Sequence, residues 1–157
     1  MRSLIVVIGG LAIAASTYAH ALSAEALVRQ AVQAFYTAFN SHKFDRVADF
    51  TTEDWNHINP LGGRTPGRAE VLNELKEVHS TFLRSVSDTV EQMDVRFASA
   101  DVAVATVTSR VSTFTTPDGV KHENEQQIRT FVVVKRSARW LIMQDHNTIV
   151  RPQPAAR

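Results

Sequence analysis

The chain has 157 residues, 44% of them hydrophobic, with 17 Lys and Arg against 16 Asp and Glu and no cysteine. That length suits one domain whose core is large enough to need no staple. The composition excludes disulfides, thiol catalysis and cysteine-ligated zinc, and a near-neutral charge without any basic run excludes a nucleic-acid-binding surface.

Taken in chain order, Met1-Arg2 gives a short positive start, Leu4 to Ala15 is an apolar run, and Ala19-His20-Ala21 has the A-x-A form of a cleavage site. The run is shorter than the about 20 residues a bilayer span requires. Residues 1–21 therefore read as a signal peptide, 22–151 as the domain and 152–157 as a disordered tail. The expected location is periplasmic or secreted, with no membrane attachment after cleavage.

From Ser23 to Asn40 the apolar residues Leu27, Ala31, Ala34, Phe35, Ala38 and Phe39 recur at helical spacing, with Ser23 as N-cap. Asp45 is placed to cap a short second helix reaching Phe50. Asp54-Trp55-Asn56-His57-Ile58-Asn59 alternates like a strand and is closed by Pro60, Gly62-Gly63 and Pro66-Gly67. A third helix is expected from Arg68 to Leu83, with Val71, Leu75, Val78, His79 and Phe82 on one face. The period then changes to two. A strand carries Met93, Val95 and Phe97, and two long strands, Val102 to Thr115 and Val120 to Lys135, flank the turn Thr116-Pro117-Asp118-Gly119. A last strand runs from Arg139 to Val150. Three helices on one face of a curved, mostly antiparallel sheet make an α+β fold. The strands carry apolar residues on both faces, so the face away from the helices needs a cover, most simply a second copy of the chain.

VQAFYTAFNSHKFDRVADF, HINPLGGRTPGR and WLIMQDHNT together resemble the SnoaL-like branch of the nuclear transport factor 2-like superfamily, with SgcJ/EcaC-type members nearest. The resemblance covers nearly all of the chain after residue 21. It implies a cone with a pocket between helices and curved sheet, often dimeric, and leaves the reaction open, because this fold hosts isomerases, dehydratases, cyclases, hydrolases and binding modules. No dinucleotide fingerprint supports an oxidoreductase. By similarity to the ketosteroid isomerases of the superfamily, their phenolic donor falls at Phe35 and their carboxylate base at Asn59. Neither residue can do that work, since a phenyl ring has no hydroxyl and an amide takes no proton at neutral pH.

If Asn59 faces the pocket, alternation puts Trp55 and His57 on the same face, about 6–7 Å apart per two-residue step. His57 is then the natural acid–base group, the alternative being a histidine hydrogen-bonded at a strand end with Trp55 as core. The same parity puts Trp140, Gln144 and His146 on the pocket face of the last strand, and Asp145 and Asn147 on the other. A dyad of the neighbours Asp145 and His146 is therefore poor geometry unless a bulge intervenes. Phe35, Phe39, Phe82, Met93 and Phe97 either floor a cavity or fill it, and His79, on the apolar face of the third helix, is a satisfied core residue or a pocket one. Arg110, Arg129 and Glu125 lie within strands, where they pair with one another or anchor an acidic ligand. The segment 121–125, Lys-His-Glu-Asn-Glu, reads as a solvated hairpin arm. No metal or cofactor motif is present. The expected role is binding of a small, mostly apolar molecule in the cone, with His57, and at lower rank His146, as catalytic candidates. Cofactor-independent acid–base catalysis (isomerase, dehydratase or hydrolase) is the alternative, and a purely structural dimerisation module is a weaker one.

Overall fold

Ser23 opens the first helix as expected: its side chain accepts a hydrogen bond from the Ala26 backbone N–H at 3.1 Å. This helix, α1 (Ala24–Ser41), turns Val28, Ala31, Val32, Phe35, Tyr36 and Phe39 inward and ends at His42 in the left-handed conformation, φ 54°. The computed structural model describes residues 22–151; the signal-peptide and tail expectations fall on residues outside these.

The expected second helix is a single 3-10 turn, Val47–Asp49. Its buried residues Phe44, Val47 and Phe50 recur every three positions, which is the 3-10 repeat rather than the α-helical one. Among the described residues the fold therefore has two α-helices. Strand β1 (Thr51–Ile58) follows and pairs antiparallel with β2 (Arg64–Pro66) around a turn that Asn59 organises. The Asn59 side-chain oxygen accepts from the backbone N–H groups of Leu61 and Gly63 at 3.0 and 2.9 Å, the Asx arrangement. Helix α2 (Arg68–Ser80) buries Val71, Leu75 and His79 and stops three residues before the predicted end.

The remaining chain is β3 (Asp88–Ser99), β4 (Val102–Val111), the short β5 (Phe114–Thr115) and β6 (Lys121–His122), then β7 (Glu125–Arg136) and β8 (Arg139–Ile149). Gly119 takes φ 84° in the predicted turn, and β5 and β6 form a separate two-stranded ribbon around it. Asn124, at φ 47°, interrupts what the sequence suggested was one strand from Val120 to Lys135.

The main sheet has six strands in the order β2-β1-β8-β7-β4-β3. All neighbours are antiparallel except β1 and β8, which run parallel. The helices cover the face bearing Ala103, Ala105, Val107, Phe131, Val133 and Ile142, each at 0% exposure. Phe35 centres this core, with ring centroids 5.5, 6.3 and 5.4 Å from Tyr36, Trp55 and Phe131 in edge-to-face contacts. On the other face, Val104 stands opposite Val132, Thr106 opposite Thr130 and Thr108 opposite Ile128, a β-branched surface that is only partly covered.

One irregularity decides where the polar side chains of β8 go. Val133 pairs with Ile142 but its neighbour Val132 pairs with Gln144, so Met143 is an extra residue, a β-bulge. Past the bulge the parity inverts. Asp145 and Asn147 turn inward and are buried, while His146 is exposed on the outer face and Gln144 bonds the outward-facing Asn56 at 3.1 Å. The expectation that Gln144 and His146 face the pocket is thus corrected.

Candidate active site

Strand pairing places His57 of β1 directly beside Asp145 of β8. Asp145 is 0% exposed and accepts three hydrogen bonds: Trp55 Nε1 donates to Oδ1 at 2.8 Å, Arg129 donates to Oδ2 at 2.9 Å, and His57 Nδ1 lies 2.9 Å from the same Oδ2. Burial alone drives this carboxyl's pKa up; the charges of His57 and Arg129, with the hydrogen bonds from His57 and Trp55, outweigh it, and the net shift is downward. Asp145 is therefore a carboxylate, and when His57 is neutral its proton sits on Nδ1, facing that carboxylate. The Nε2 lone pair is left free, with no hydrogen bond to the described residues.

His57 is also part of the wall of a cavity of about 210 Å³. A dry cavity of about 150 Å³ holds a benzene molecule, so this one matches a single substituted ring. Its apolar side is Phe39 from α1, Leu75 and Val78 from α2, and Phe82 and Leu83 just beyond. The polar side is His57, Arg129, Gln127 and Asn147, from three adjacent strands. Asn147 donates to Gln127 Oε1 at 2.6 Å, and its own side-chain oxygen is buried without a partner. Glu74 of α2, held by the Thr65 hydroxyl, adds a carboxylate to the wall.

Behind Arg129 lies a second polar group that does not reach the cavity. The guanidinium stacks over the Phe35 ring at 4.7 Å, with its Nε buried and unpartnered. Asp88 is 1% exposed, and burial pushes its carboxyl up against the pull of Arg129. Burial likewise raises the Tyr36 phenol to about 12. The Ser109 hydroxyl stands near both, yet none of the three closes a well-formed hydrogen bond with another.

The residues expected at the site divide accordingly. His57, Phe39, Asn59 and Phe82 line the cavity, Asn59 from its turn at the rim. Trp55 and Phe35 are buried just behind, as supports for Asp145 and Arg129. His79 is also a support: it sits between Phe39 and Phe44, at 4.5 and 4.9 Å between centroids, with its Nδ1 2.7 Å from His42 Nδ1. Met93 is half-buried on β3 and takes part through its carbonyl, which accepts from Arg29. Trp140 lines a different hollow, an open groove of about 640 Å³ along α1, whose Arg46 and Asp49 simply pair with each other. Gln144 and His146 are on the outer face. Among the described residues, no group of three or more His, Asp or Glu side chains is placed to hold a metal ion.

Gln127, Asn147, Glu74 and His122 were not expected in the cavity wall, nor Asp145 buried behind His57, and Arg129 was expected only as a strand charge that pairs or anchors an acidic ligand. One signal for them is present in β7, where Gln127 and Arg129 continue the inward alternation of Phe131 and Val133. Polar residues at one end of an otherwise apolar stripe mark where a core opens into a cavity.

The sequence of residues 32–138 matches the SnoaL-like domain. The chain belongs to the SnoaL-like family. An NTF2-like protein with a cystatin-like fold from Novosphingobium aromaticivorans is among the structures that share the fold of this SnoaL-like domain. An uncharacterised protein with a cystatin-like fold from Caulobacter vibrioides superimposes with a TM-score of 0.78 at 25% identity, over 80% of this chain and 89% of that one. A hexachlorocyclohexane dehydrochlorinase (LinA) type 2 gives 0.68 at 14% identity, over 84% and 88%. The CaMKII hub of S. rosetta gives 0.64 at 19%, over 79% and 95%. An enzyme and an assembly hub thus share this fold with the SnoaL-like domain. No curated protein matches its sequence.

Proposed function

We propose that this SnoaL-like domain carries out cofactor-independent acid–base chemistry on a small, mostly apolar molecule about the size of one substituted ring, with His57 as the base. The observation that carries this reading is the His57–Asp145 pair on the cavity wall. A carboxylate on Nδ1 fixes the imidazole tautomer, orients the ring, and stabilises the imidazolium formed when Nε2 takes a proton. The carboxylate base missing at Asn59 is thereby replaced by a histidine two residues earlier, near the end of β1. Structural likeness to a dehydrochlorinase that acts on a cyclohexane supports an elimination or isomerisation on a ring compound. Simple ligand binding, the reading the sequence favoured, leaves the buried dyad without a role.

The base is tested with 5-nitrobenzisoxazole. His57 Nε2 takes the ring C–H proton, the C–H electron pair becomes the third bond of a nitrile, and the N–O bond breaks to release a coloured phenolate. His57→Gln is expected to lower kcat/KM about 10²- to 10⁴-fold. Equal rates in wild type and variant would remove His57 as the base.

Two further parts of the proposal rest on other observations. The β-branched outer face of the sheet, with Ile128 39% exposed, supports pairing with a second copy of the chain. The apolar run and A-x-A site support export with cleavage after residue 21. An intact mass for protein taken from its natural compartment that includes residues 1–21 would refute the cleavage.

A further inference from the structure

A second histidine–carboxylate pair reaches the same cavity, from the ribbon rather than from the sheet. His122 Nδ1 lies 2.9 Å from Glu125 Oε2, and the His122 ring stacks on Phe114, 4.6 Å between centroids and 5° between planes. Phe114 stacks in turn on Phe82 at 6.1 Å. All three rings line the cavity that His57 lines. The plain alternative is a solvated ion pair on a hairpin arm, and the neighbouring residues supply the comparison. Lys121 and Glu123 also pair, with side chains 61% and 68% exposed, whereas His122 and Glu125 are 13% and 23% exposed. The left-handed Asn124 separates the two behaviours by turning the chain so that Glu125 comes back beneath His122.

We propose that His122 is a second proton-transfer residue of this cavity, acting as general acid where His57 acts as base, with Glu125 as its positioning residue. The inference rests on the role of His57 proposed above. Glu125 on Nδ1 does for His122 what Asp145 does for His57: it leaves Nε2 as the nitrogen that exchanges a proton with the cavity. On a ketone, His57 takes a proton from the carbon beside the carbonyl. The C–H pair becomes a C=C bond, the carbonyl π pair moves to oxygen, and that oxygen takes the proton from protonated His122. The reverse steps restore the ketone. The charged groups around His122 are Glu125, Asp118 of the ribbon turn, and Glu74 and Arg129 on the cavity wall.

The test compares two probes on the full chain. Ring opening of 5-nitrobenzisoxazole ends in a phenolate that leaves unaided and reads the base. Exchange of the hydrogens beside the carbonyl of cyclohexanone for deuterium in heavy water, followed by mass spectrometry, reads base and acid together. In His122→Gln the ratio of exchange to ring opening is expected to fall about 100-fold, and the alkaline fall of the exchange rate should flatten. Glu125→Gln should lower the same ratio less and displace that alkaline fall. An unchanged ratio, with both reactions kept or lowered together, would overturn the proposal. Ring opening by the wild type without ketone exchange above buffer would overturn it as well. Failure of both reactions in the wild type would instead overturn the base role of His57 and, with it, the acid role of His122.

Discussion

His79 shows how one side chain can be structural and still govern the response to pH. It is 6% exposed between two phenyl rings, its Nε2 has no partner, and its Nδ1 shares a single proton with His42. Burial, and next the charge of His42, lower its pKa from 6.5 to about 4. Between those values the unfolded chain binds a proton that the folded chain refuses, so stability rises with pH across this window and falls on acidification through it. His79→Phe keeps the ring contacts and removes the proton site. Its denaturation midpoint is therefore expected to change less than that of wild type between about pH 6.5 and pH 4 in urea titrations. An equal slope in both proteins would assign the acid sensitivity to other groups. Asp145 illustrates the opposite design: its burial is offset by three donors, so it remains charged at the centre of the molecule.

At the scale of elements, Met143 does more than any other residue of β8 to define the site. It lies in the bulge, and everything after it faces the opposite way from a regular strand. Deleting Met143 brings Gln144 directly after Ile142, so alternation without a bulge still turns Asp145 and Asn147 inward, and ring opening of 5-nitrobenzisoxazole is expected to stay within about 10-fold of wild type. A fall to the level of His57→Gln would show that the bend of the bulge itself is needed to hold Asp145 against His57. The bulge also explains what was legible in the sequence. The Ser23 cap, the Thr116–Gly119 turn and the order of strands come from local spacing and turn chemistry, and the chain states them directly. The 3-10 turn is legible in retrospect, from the threefold spacing of Phe44, Val47 and Phe50. The inward turn of Asp145 is not local. It is set by how β8 registers against β1 and β7, whose residues lie about 90 and 16 positions away in the hydrogen bonds made to it. Alternation, counted from Trp140 without the bulge, assigned the wrong histidine to the cavity for that reason. His122 was hidden differently: its segment is charged, as solvated arms are, and only the αL turn at Asn124 brings Glu125 under the ring.

At the scale of the whole molecule, the uncovered sheet face and the site lie on opposite sides of the same strands, so they can be tested separately. Val132→Glu puts a carboxylate in the middle of the outer face, beside Val104 and Gln144. If two copies meet there, sedimentation velocity should show the wild type as a dimer and the variant as a monomer, because like charges would face each other across the two-fold axis. A wild type that sediments as a monomer would refute the pairing. The parallel contact between β1 and β8 has a further consequence, for the order in which the protein comes into being. Synthesis delivers His57 first, then Arg129 and only afterwards Asp145, yet β8 takes a central place in the sheet, between β1 and β7. Until that strand arrives, a growing chain has a gap where the sheet should be continuous, and its histidine has no carboxylate beside it. The site is therefore completed only when β8, the last strand of this sheet in chain order, has been made, and a truncated chain ending before residue 139 has neither the continuous sheet nor the dyad.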